Sequence, residues 1–357
     1  MKKTLLATAI IGALGASAAA QAATVYDQEG TKLDVYGRIA MGIAGGGPEF
    51  NDAGQEIDDG VEFVDVYSRL GLRMSHEVTR DLTAFGRLEW RFRADERRNG
   101  EAFRETRQSY LGLQSDQFGT FQAGNFDSFY NQFVSLPFDV YIDQGLEFAG
   151  HPKQSRGDSI GYYTPDLEGF TAFLQLKHYS ERGRVEGVTT TDEGSVVAPQ
   201  GGVRYAQGPV TVGLGFVEDV QRGGGNGEMM YGLIGQYAFT DQFSARLGYE
   251  TRDNNSGYDL RTASDENGYD KVGLGGTFTT GPWAFTGDFY NVERDGAETS
   301  KSWALGSYYK VSSAFDVFLE VADADASNRI NRDTNLGDVI PDLTEDVYWL
   351  TGARYHF

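Results

Sequence analysis

Residues 125–157 read NFDSFYNQFVSLPFDVYIDQGLEFAGHPKQSRG and interrupt a pattern that holds through most of the chain. On both sides apolar and polar residues alternate as in β-strands, whereas this stretch has no alternation and carries seven aromatic and four acidic side chains. A structureless connection this long inside a compact protein is usually functional or disordered. The aromatic side chains argue against disorder because they can pack. We therefore interpret the stretch as a loop folded into the middle of a barrel.

The flanking segments alternate with a period of two, which places a separate set of side chains on each face of a strand. In the second segment the apolar face is predicted to consist of Val64, Val66, Leu70, Leu72 and Met74. Sixteen such segments can be counted: 33–44, 61–75, the segment after the turn 76–82, 104–114, 120–125, 158–165, 169–179, 200–207, 210–219, 228–239, 242–252, 268–278, 283–293, 301–311, 315–324 and 345–357.

A soluble sandwich would show the same period of two, but here one face stays uncharged along most of its length. Most segments approach the 9–11 residues that a tilted strand needs to cross a bilayer. An even number of antiparallel strands is typical of bacterial membrane barrels. We predict an all-β fold, a 16-stranded antiparallel transmembrane β-barrel with an inward-folded loop.

The connections between the segments alternate in length. Short turns are predicted at 115–119, 208–209, 240–241, 279–282 and 312–314, and long acidic loops at 45–60, 180–199, 253–267 and 325–344. Short turns on one rim and long loops on the other are typical of outer-membrane barrels. Aromatic residues crowd the turn ends and fit an interfacial girdle: Tyr237, Phe239, Phe243, Trp283, Phe315, Tyr355 and Phe357.

Residues 1–22 have the three parts of a secretory signal: Lys2 and Lys3, an apolar core over 5–14, and a small-x-small cleavage site that ends at Ala22. The apolar core is too short to cross a bilayer as a helix, which takes about 20 residues. We predict an exported chain with a single barrel domain over residues 23–357.

The chain has no cysteine and a formal net charge of −21. An exported chain without disulfides must be stabilised by a large core or by extensive strand pairing. The acidic balance excludes a nucleic-acid-binding protein, which needs a basic face. A polar composition with 23 Phe, 20 Tyr and 47 Gly fits a membrane barrel, whose lumen is wet and whose outer face is apolar.

The last segment places Val347, Trp349, Thr351, Ala353, Tyr355 and Phe357 on one face, and the chain ends on Phe357 itself. In this respect the chain resembles the trimeric general diffusion porins of the Gram-negative outer membrane. In that family a terminal Phe on an alternating strand is read by the barrel-assembly machinery. The resemblance therefore implies that Tyr355 and Phe357 act as an assembly signal.

The resemblance extends over essentially the whole mature chain. Residues 23–37, which read ATVYDQEGTKLDVYG, are similar to porin N-termini, and Tyr67-Ser68-Arg69-Leu70-Gly71 is similar to the second porin strand. Thr106-Arg107 with Gly112-Leu113 resembles the fourth strand. Glu147-Phe148-Ala149-Gly150, with Asp143 before it, resembles the Pro-Glu-Phe-Gly-Gly core of the inward-folded constriction loop. Leu146 and Ala149 depart from that pattern, where the family has Pro and Gly.

A barrel of sixteen strands is wide enough for a water-filled channel, and the loop would set its narrowest point. The alternation directs Arg38, Arg69 and Arg107 toward the lumen, and Arg156 opens the strand after the loop. By resemblance, these arginines face Asp143 and Glu147 across the constriction. Arginine suits this position because it stays protonated even beside other cations. Arg87, Glu89, Arg91 and Arg93 are predicted to line the pore as secondary residues, and all these charges could alternatively serve only to balance one another.

The resemblance implies passive diffusion of small hydrophilic solutes and ions through a homotrimer, with no cofactor. Most of the negative charge falls in the long loops, where exposed charges more than about 8 Å from the ion path are screened in physiological salt. We therefore expect only a weak to moderate cation preference. Acidic loops beside lipopolysaccharide could share divalent cations with its phosphate groups.

Two alternative functions, a substrate-selective channel and a barrel phospholipase, are open at the level of the sequence. A substrate-selective channel would need a line of aromatic residues or a dense lysine cluster. His178 and Ser180 have the His-x-Ser spacing of an outer-membrane phospholipase, but Glu181 and Arg182 follow where that enzyme family has Asn-Gly. No metal site is predicted, because His76, His151 and His356 lack partners at metal spacing. The same holds for five late aspartates, which lack EF-hand spacing: Asp323, Asp325, Asp333, Asp338 and Asp342.

Overall fold

The computed structural model describes residues 22–46, 49–50, 56–58, 61–95, 103, 105–143, 145, 148, 157–179, 195–218, 229–253, 268–295, 298–323 and 347–357. The predicted signal at 1–22, apart from Ala22, lies outside these residues. So do Glu147, Arg156, His151 and Ser180, and four of the late aspartates.

The described strands follow one another in antiparallel order. They are β1 Ala23–Gln28, β2 Thr31–Gly45, β3 Glu49–Phe50, β4 Glu56–Asp58, β5 Glu62–Asp65, β6 Arg69–Glu77, β7 Leu82–Arg91, β8 Glu105–Ser115, β9 Gly119–Asn125, β10 Ser159–Tyr163, β11 Phe170–Tyr179, β12 Val196–Gln207, β13 Val210–Glu218, β14 Met229–Ala238, β15 Phe243–Arg252, β16 Tyr269–Thr280, β17 Trp283–Arg294, β18 Ser300–Lys310, β19 Phe315–Asp323 and β20 Val347–His356.

Strand β2 and strands β6 to β20 form a closed barrel of sixteen antiparallel strands. Each strand pairs with the next along the chain, and β20 returns to pair with β2. The predicted fold class and strand count are thereby confirmed. Among the described residues, no helix is long and apolar enough to cross a membrane.

The barrel carries its apolar side chains on the outer face and its polar side chains on the inner face. In β17 the aromatic side chains of Trp283, Phe285 and Phe289 are exposed on the outer face. Thr286 and Asp288, at the alternate positions, are buried in the interior. This alternation gives an apolar outer surface and a polar interior, as a strand between lipid and a wet lumen requires.

A short hairpin precedes the barrel and was not predicted from the sequence. Strand β1 folds back on β2 through Glu29 and Gly30, whose φ angles are +51° and +72°. It pairs with the first residues of β2, while β20 pairs with β2 from Arg38 onward. The sequence predicted a first strand at 33–44 but not β1, which pairs with the start of β2 on the same side as β20.

The predicted outward face of the second strand is wrong for Val64 and Val66. Residues 66–68 form an irregularity between β5 and β6, in which Tyr67 has a φ of +63°. Val66 is buried against Ala40 and Leu350 on the inside of the barrel, and Val64 packs against the same cluster. An extra residue in a strand reverses the phase of the alternation, so Leu70, Leu72 and Met74 face outward but Val64 and Val66 do not.

The seam between the two ends of the barrel depends on Gly37 and Phe357. The backbones of these residues exchange two hydrogen bonds, at N–O distances of 2.8 and 3.1 Å. A Cβ atom added to Gly37 would lie 2.5 Å from the ring of Phe357 and 2.6 Å from the carbonyl oxygen of Arg69. The terminal ring therefore covers a position in the seam that has no side chain.

We predict that Gly37→Ala lowers the thermal stability of the folded barrel, because overpacking of this kind costs about 1–3 kcal/mol. The matched control is Gly86→Ala on the outer face of β7, where the nearest atom to an added Cβ lies at 3.4 Å. The measurement is the temperature at which the barrel loses its compact electrophoretic mobility. Equal temperatures for the two variants would contradict the importance of this contact.

Candidate channel constriction

The loop after β9 runs along the inner wall from β11 to β19 and then turns back toward β17 and β16. It begins at Phe126 and includes a single π-helical turn, Asn131–Ser135, followed by a 3-10 turn, Leu136–Phe138. Its buried side chains form one apolar cluster with residues of the wall: Phe126, Phe129, Tyr130, Val134, Phe138, Tyr141, Phe148, Phe173, Val217, Met230, Ile234, Tyr290, Ala304 and Ala322. The prediction of a loop folded into the barrel agrees with this course.

Aromatic packing fixes the loop at two points along its length. Phe133 stacks on Phe173 of β11, with ring centroids 5.0 Å apart. Phe138 stacks on Phe148 at 4.6 Å, and both rings lie near Tyr290 of β17. Gly273 leaves the space for this second stack, since an added Cβ would lie 2.4 Å from Phe148.

Side chains of the wall satisfy the polar backbone groups of the loop. Gln175 of β11 accepts a hydrogen bond from the backbone N–H of Phe129 at 2.9 Å. Tyr290 donates its hydroxyl to the carbonyl oxygen of Gly145 at 2.8 Å. Glu320 of β19 accepts the N–H groups of Ile142 and Asp143 at 2.6 and 2.9 Å. Buried backbone groups are costly to leave unpaired, so these contacts hold the loop against β11 to β19.

A buried ion pair on the barrel wall packs against the middle of the loop. Arg246 of β15 forms two hydrogen bonds to Asp288 of β17, at 2.8 and 2.7 Å, and further bonds to Thr277 and Thr286. The side chains of Arg246 and Asp288 are 1% and 0% exposed. The guanidinium carbon lies 5.5 Å from the ring centroid of Phe138. A buried pair with all these hydrogen bonds made keeps its geometry, whereas loss of one partner is costly.

The opposite side of the barrel carries a cluster of arginines that we call the arginine wall: Arg38, Arg69, Arg87, Arg91 and Arg107. Arg69 pairs across the sheet with Arg38 on one side and with Arg91 on the other. Like charges directly opposite each other in a sheet are destabilising. The wall therefore requires a compensating negative charge.

Glu89 supplies that charge from the centre of the wall. Its carboxylate, fully buried, lies 2.5 Å from Arg107, 2.9 Å from Arg87 and 3.6 Å from Arg69. It also accepts the hydroxyl of Tyr36 at 2.8 Å. The sequence predicted Glu89 only as a secondary pore-lining residue, because alternation indicates a face but not which arginines will surround a carboxylate.

A bulge directs Arg107 toward the same point. The register between β7 and β8 shifts at Glu89 and Trp90, so that Arg107 has no partner of its own in the ladder. Both Arg107 and the next residue, Gln108, hydrogen-bond to the carboxylate of Asp127 at the start of the loop. The bulge thus gives two successive side chains the same inward direction, which strict alternation does not allow.

Tyr67 joins the arginine wall to the far end of the loop. Its backbone oxygen accepts a hydrogen bond from Arg38 at 2.9 Å, and Arg91 lies 4.9 Å from its ring centroid. Its hydroxyl donates to the carboxylate of Asp143 at 2.9 Å. Asp143 is only 4% exposed, so this predicted constriction residue is fastened between the loop and the wall.

The other predicted site residues differ in how the structure places them. Arg38, Arg69, Arg87, Glu89, Arg91 and Arg107 come together on the inner face. Arg93 lies beyond the end of β7 and pairs with Asp95 at 2.9 Å, because the strand stops before the alternation can carry it into the barrel. Tyr355 is exposed on the outer face, and its ring centroid lies 6.5 Å from that of Phe357.

Two acidic residues of the loop were not selected from the sequence. Asp127 binds Arg107 and Gln108, and Asp139 follows the 3-10 turn with an exposed side chain. Enclosure inside the barrel and the nearby Asp127 carboxylate raise the pKa of Asp139 to about 6, against the lowering effect of Arg107, Arg69 and Arg38. The family motif gave no signal for either residue, since it centres on Asp143 and Glu147.

Of the histidines and late aspartates, the structure describes His76, His178, His356 and Asp323. Within the described ranges, no group of three or more His, Cys, Asp or Glu side chains could hold a metal ion. His76 contacts the hydroxyl of Thr31 at 2.7 Å, and His356 contacts Asp316 at 2.9 Å. Of the proposed hydrolase pair, His178 is exposed, and Ser180 falls outside the part of the chain that the structure describes.

We predict that Glu89→Gln destabilises the folded barrel by about 3 kcal/mol, because it leaves three partly buried arginines without their shared, fully buried carboxylate. The matched control is Glu105→Gln, which removes a partly exposed carboxylate 3.4 Å from Arg91. Unfolding in denaturant, followed by tryptophan fluorescence, measures both variants. A Glu89 variant as stable as the Glu105 variant would contradict a central role for Glu89.

Comparison with known proteins identifies the family to which this barrel belongs. The family model described as Gram-negative porin matches residues 7–329. A monosaccharide porin of Halomonas sp is 30% identical over 376 residues, which cover 100% of this chain and 91% of that protein.

Solved structures share the fold at lower identity. The anion-selective porin from Comamonas acidovorans has a TM-score of 0.68 and 18% identity, over 92% of this chain and 100% of that one. The trimer form of OmpT from Vibrio cholerae has a TM-score of 0.63 and 15% identity, over 92% and 99% of the two chains. With the closed barrel, the inward loop and the family match together, the chain belongs to the Gram-negative porin family and forms a diffusion channel in the outer membrane.

Proposed function

We propose that ions and small hydrophilic solutes are selected at one narrow zone, where the loop faces the arginine wall. The proposal assigns Arg38, Arg69 and Arg107 to the basic side of this zone. Arg156, Asp143 and Glu147 join them by the sequence resemblance. The observation that carries the proposal is that the loop is fastened to β11–β19 while the arginines gather around Glu89 on the opposite side.

Opposed charges across a narrow passage produce a transverse electric field. Such a field orders water and favours solutes that can align a dipole with it. The guanidinium groups keep their charge because arginine does not deprotonate in proteins. A hydrophilic solute with a dipole would therefore pass more easily than an apolar solute of the same size.

The net charge of the protein and the charges of this zone favour opposite ions. The chain carries −21 overall, which alone would favour cations, whereas the arginine wall opposes them. Distant charges in the loops are screened in salt and the close arginines much less. We propose a weak to moderate cation preference that fades as the salt concentration rises.

Selective uptake of monosaccharides is a second candidate function. The observation in its favour is the name of the Halomonas relative, a monosaccharide porin that aligns with the whole of this chain. Tyr67, which is partly exposed on the inner face, is an aromatic side chain of the kind on which a sugar can stack. The test is whether an added monosaccharide reduces the ion current through the channel. A reduction by a monosaccharide but not by a disaccharide would distinguish this candidate from unselective diffusion. Porins are channels, so no catalytic role is proposed for His178 and Ser180.

A homotrimer is the proposed assembly, and its support is the trimeric form of the Vibrio cholerae neighbour. The proposed partners are the barrel-assembly machinery, through Tyr355 and Phe357, and lipopolysaccharide. The acidic composition of the outer loops supports the second contact, because divalent cations can link carboxylates to lipid phosphates.

We predict that the double substitution Arg69→Gln, Arg107→Gln moves the reversal potential toward the equilibrium potential of the cation, because it removes two positive charges from the narrow zone. The measurement is the reversal potential across a planar bilayer with a salt gradient. As a control, Arg204→Gln removes a charge from β12, between Thr171 and Gly213. A double variant that keeps the wild-type reversal potential and conductance would contradict the proposed function.

We predict that deletion of Phe357 reduces insertion into the outer membrane more than it reduces export, since the deletion removes both the aromatic terminus and its bonds to Gly37. The folded, heat-modifiable fraction and the total exported protein are measured in the same cells. Phe357→Tyr serves as the control because it keeps an aromatic ring at the terminus. Wild-type amounts of folded barrel after the deletion would contradict the assembly role.

A further inference from the structure

The acidic side of the constriction was assigned to Asp143 by resemblance, but Asp143 is held in a structural position. Its carboxylate accepts the hydroxyl of Tyr67, and its backbone N–H donates to Glu320. Only 4% of its surface is exposed. A carboxylate in this position connects β19, the loop and the irregularity before β6, and it is shielded from ions in the lumen.

Asp139 has the opposite surroundings, although it lies only four residues earlier. The 3-10 turn Leu136–Phe138 ends directly before it, and the backbone N–H of Asp139 donates to the carbonyl oxygen of Leu136. Pro137 and Phe138 are buried against the wall, while the Asp139 side chain is exposed. The turn therefore anchors the loop on one side and presents the carboxylate to water inside the barrel on the other.

The charged groups that act on Asp139 come from four separate elements. Arg38 of β2, Arg69 of β6 and Arg107 of β8 attract its negative charge, and Asp127 at the start of the loop repels it. Asp127 itself is partly exposed and lies 3.1 Å from Arg107. Asp139 is therefore within electrostatic reach of the same three arginines to which the proposed function assigns the basic side.

We propose that Asp139, supported by Asp127, is the residue that determines ion selectivity on the acidic side of the constriction, and that Asp143 positions the loop. This inference rests on the proposed function, since it names the acid that faces the arginine wall. It departs from the sequence motif because the chain between Pro137 and Asp143 is fixed to the wall in a way that turns Asp139, and not Asp143, toward the enclosed lumen.

The inference implies a dependence of selectivity on pH. Asp139 is negatively charged when the pH is above its pKa of about 6 and neutral below it, whereas Arg38, Arg69 and Arg107 stay positive throughout this range. Lowering the pH from 7 to 5 should therefore reduce the preference for cations. Neutralising Asp139 by substitution should produce the same change at pH 7 and remove the pH dependence.

The experiment compares Asp139→Asn with Asp143→Asn and with Asp116→Asn, a charge-matched control in the exposed turn between β8 and β9. The reversal potential is measured in planar bilayers under a salt gradient at pH 7 and at pH 5, for barrels that retain heat-modifiable mobility. We expect Asp139→Asn to lower the cation-to-anion permeability ratio about twofold at pH 7. We also expect it to abolish the change between pH 7 and pH 5.

The outcomes separate this inference from the proposed function. If the Asp139 variant behaves like the Asp116 variant while the Arg69 and Arg107 double variant changes selectivity, the constriction is correct and the assignment of its acid is overturned. A larger effect from Asp143→Asn than from Asp139→Asn also overturns the assignment. If neither the arginine variant nor the Asp139 variant changes the reversal potential, the proposed function itself fails.

Discussion

Backbone hydrogen bonding is the constraint on which the whole structure depends. A strand in a bilayer has no water to satisfy its N–H and C=O groups, so a sheet that spans a membrane must close on itself. Closure here takes place between β2 and β20, where Gly37 and Phe357 exchange backbone hydrogen bonds beneath the terminal aromatic ring. The absence of a side chain at Gly37 leaves room for the terminal ring at this seam, where the sixteen-stranded barrel closes.

A closed barrel with lipid outside needs its own internal core if anything is to be fixed inside it. The loop provides this core. Its aromatic rings pack on the inner faces of β11 to β18 and fill part of the space that the strands enclose. Gln175, Tyr290 and Glu320 satisfy its backbone, and the Arg246–Asp288 pair supports its middle. The side of the interior that carries the loop is therefore packed as in a soluble protein.

Alternation in the sequence was sufficient to predict the strands, their number and the inward loop, because period two is imposed on every strand by lipid outside and water inside. It failed where one extra residue enters a strand. The irregularity at 66–68 turned Val66 inward, and the bulge at Arg107 gave that residue and Gln108 one direction. Neither carries a composition signal. The family motif selects Asp143 and Glu147 and leaves out Asp139, because a motif does not show how Phe138 and Ile142 are anchored to the wall.

These irregularities also account for the form of the arginine wall. The ladder places Arg69 directly opposite Arg38 on one side and Arg91 on the other, so like charges face one another. The bulge brings Arg107 to Glu89 and Asp127, and the left-handed conformation of Tyr67 lets its backbone bind Arg38 while its hydroxyl reaches Asp143. Backbone strain at a functional site persists only where neighbours over-determine it. In this barrel those neighbours are the charges of the constriction, so the same contacts that hold the arginines in place also fix their distance from the loop.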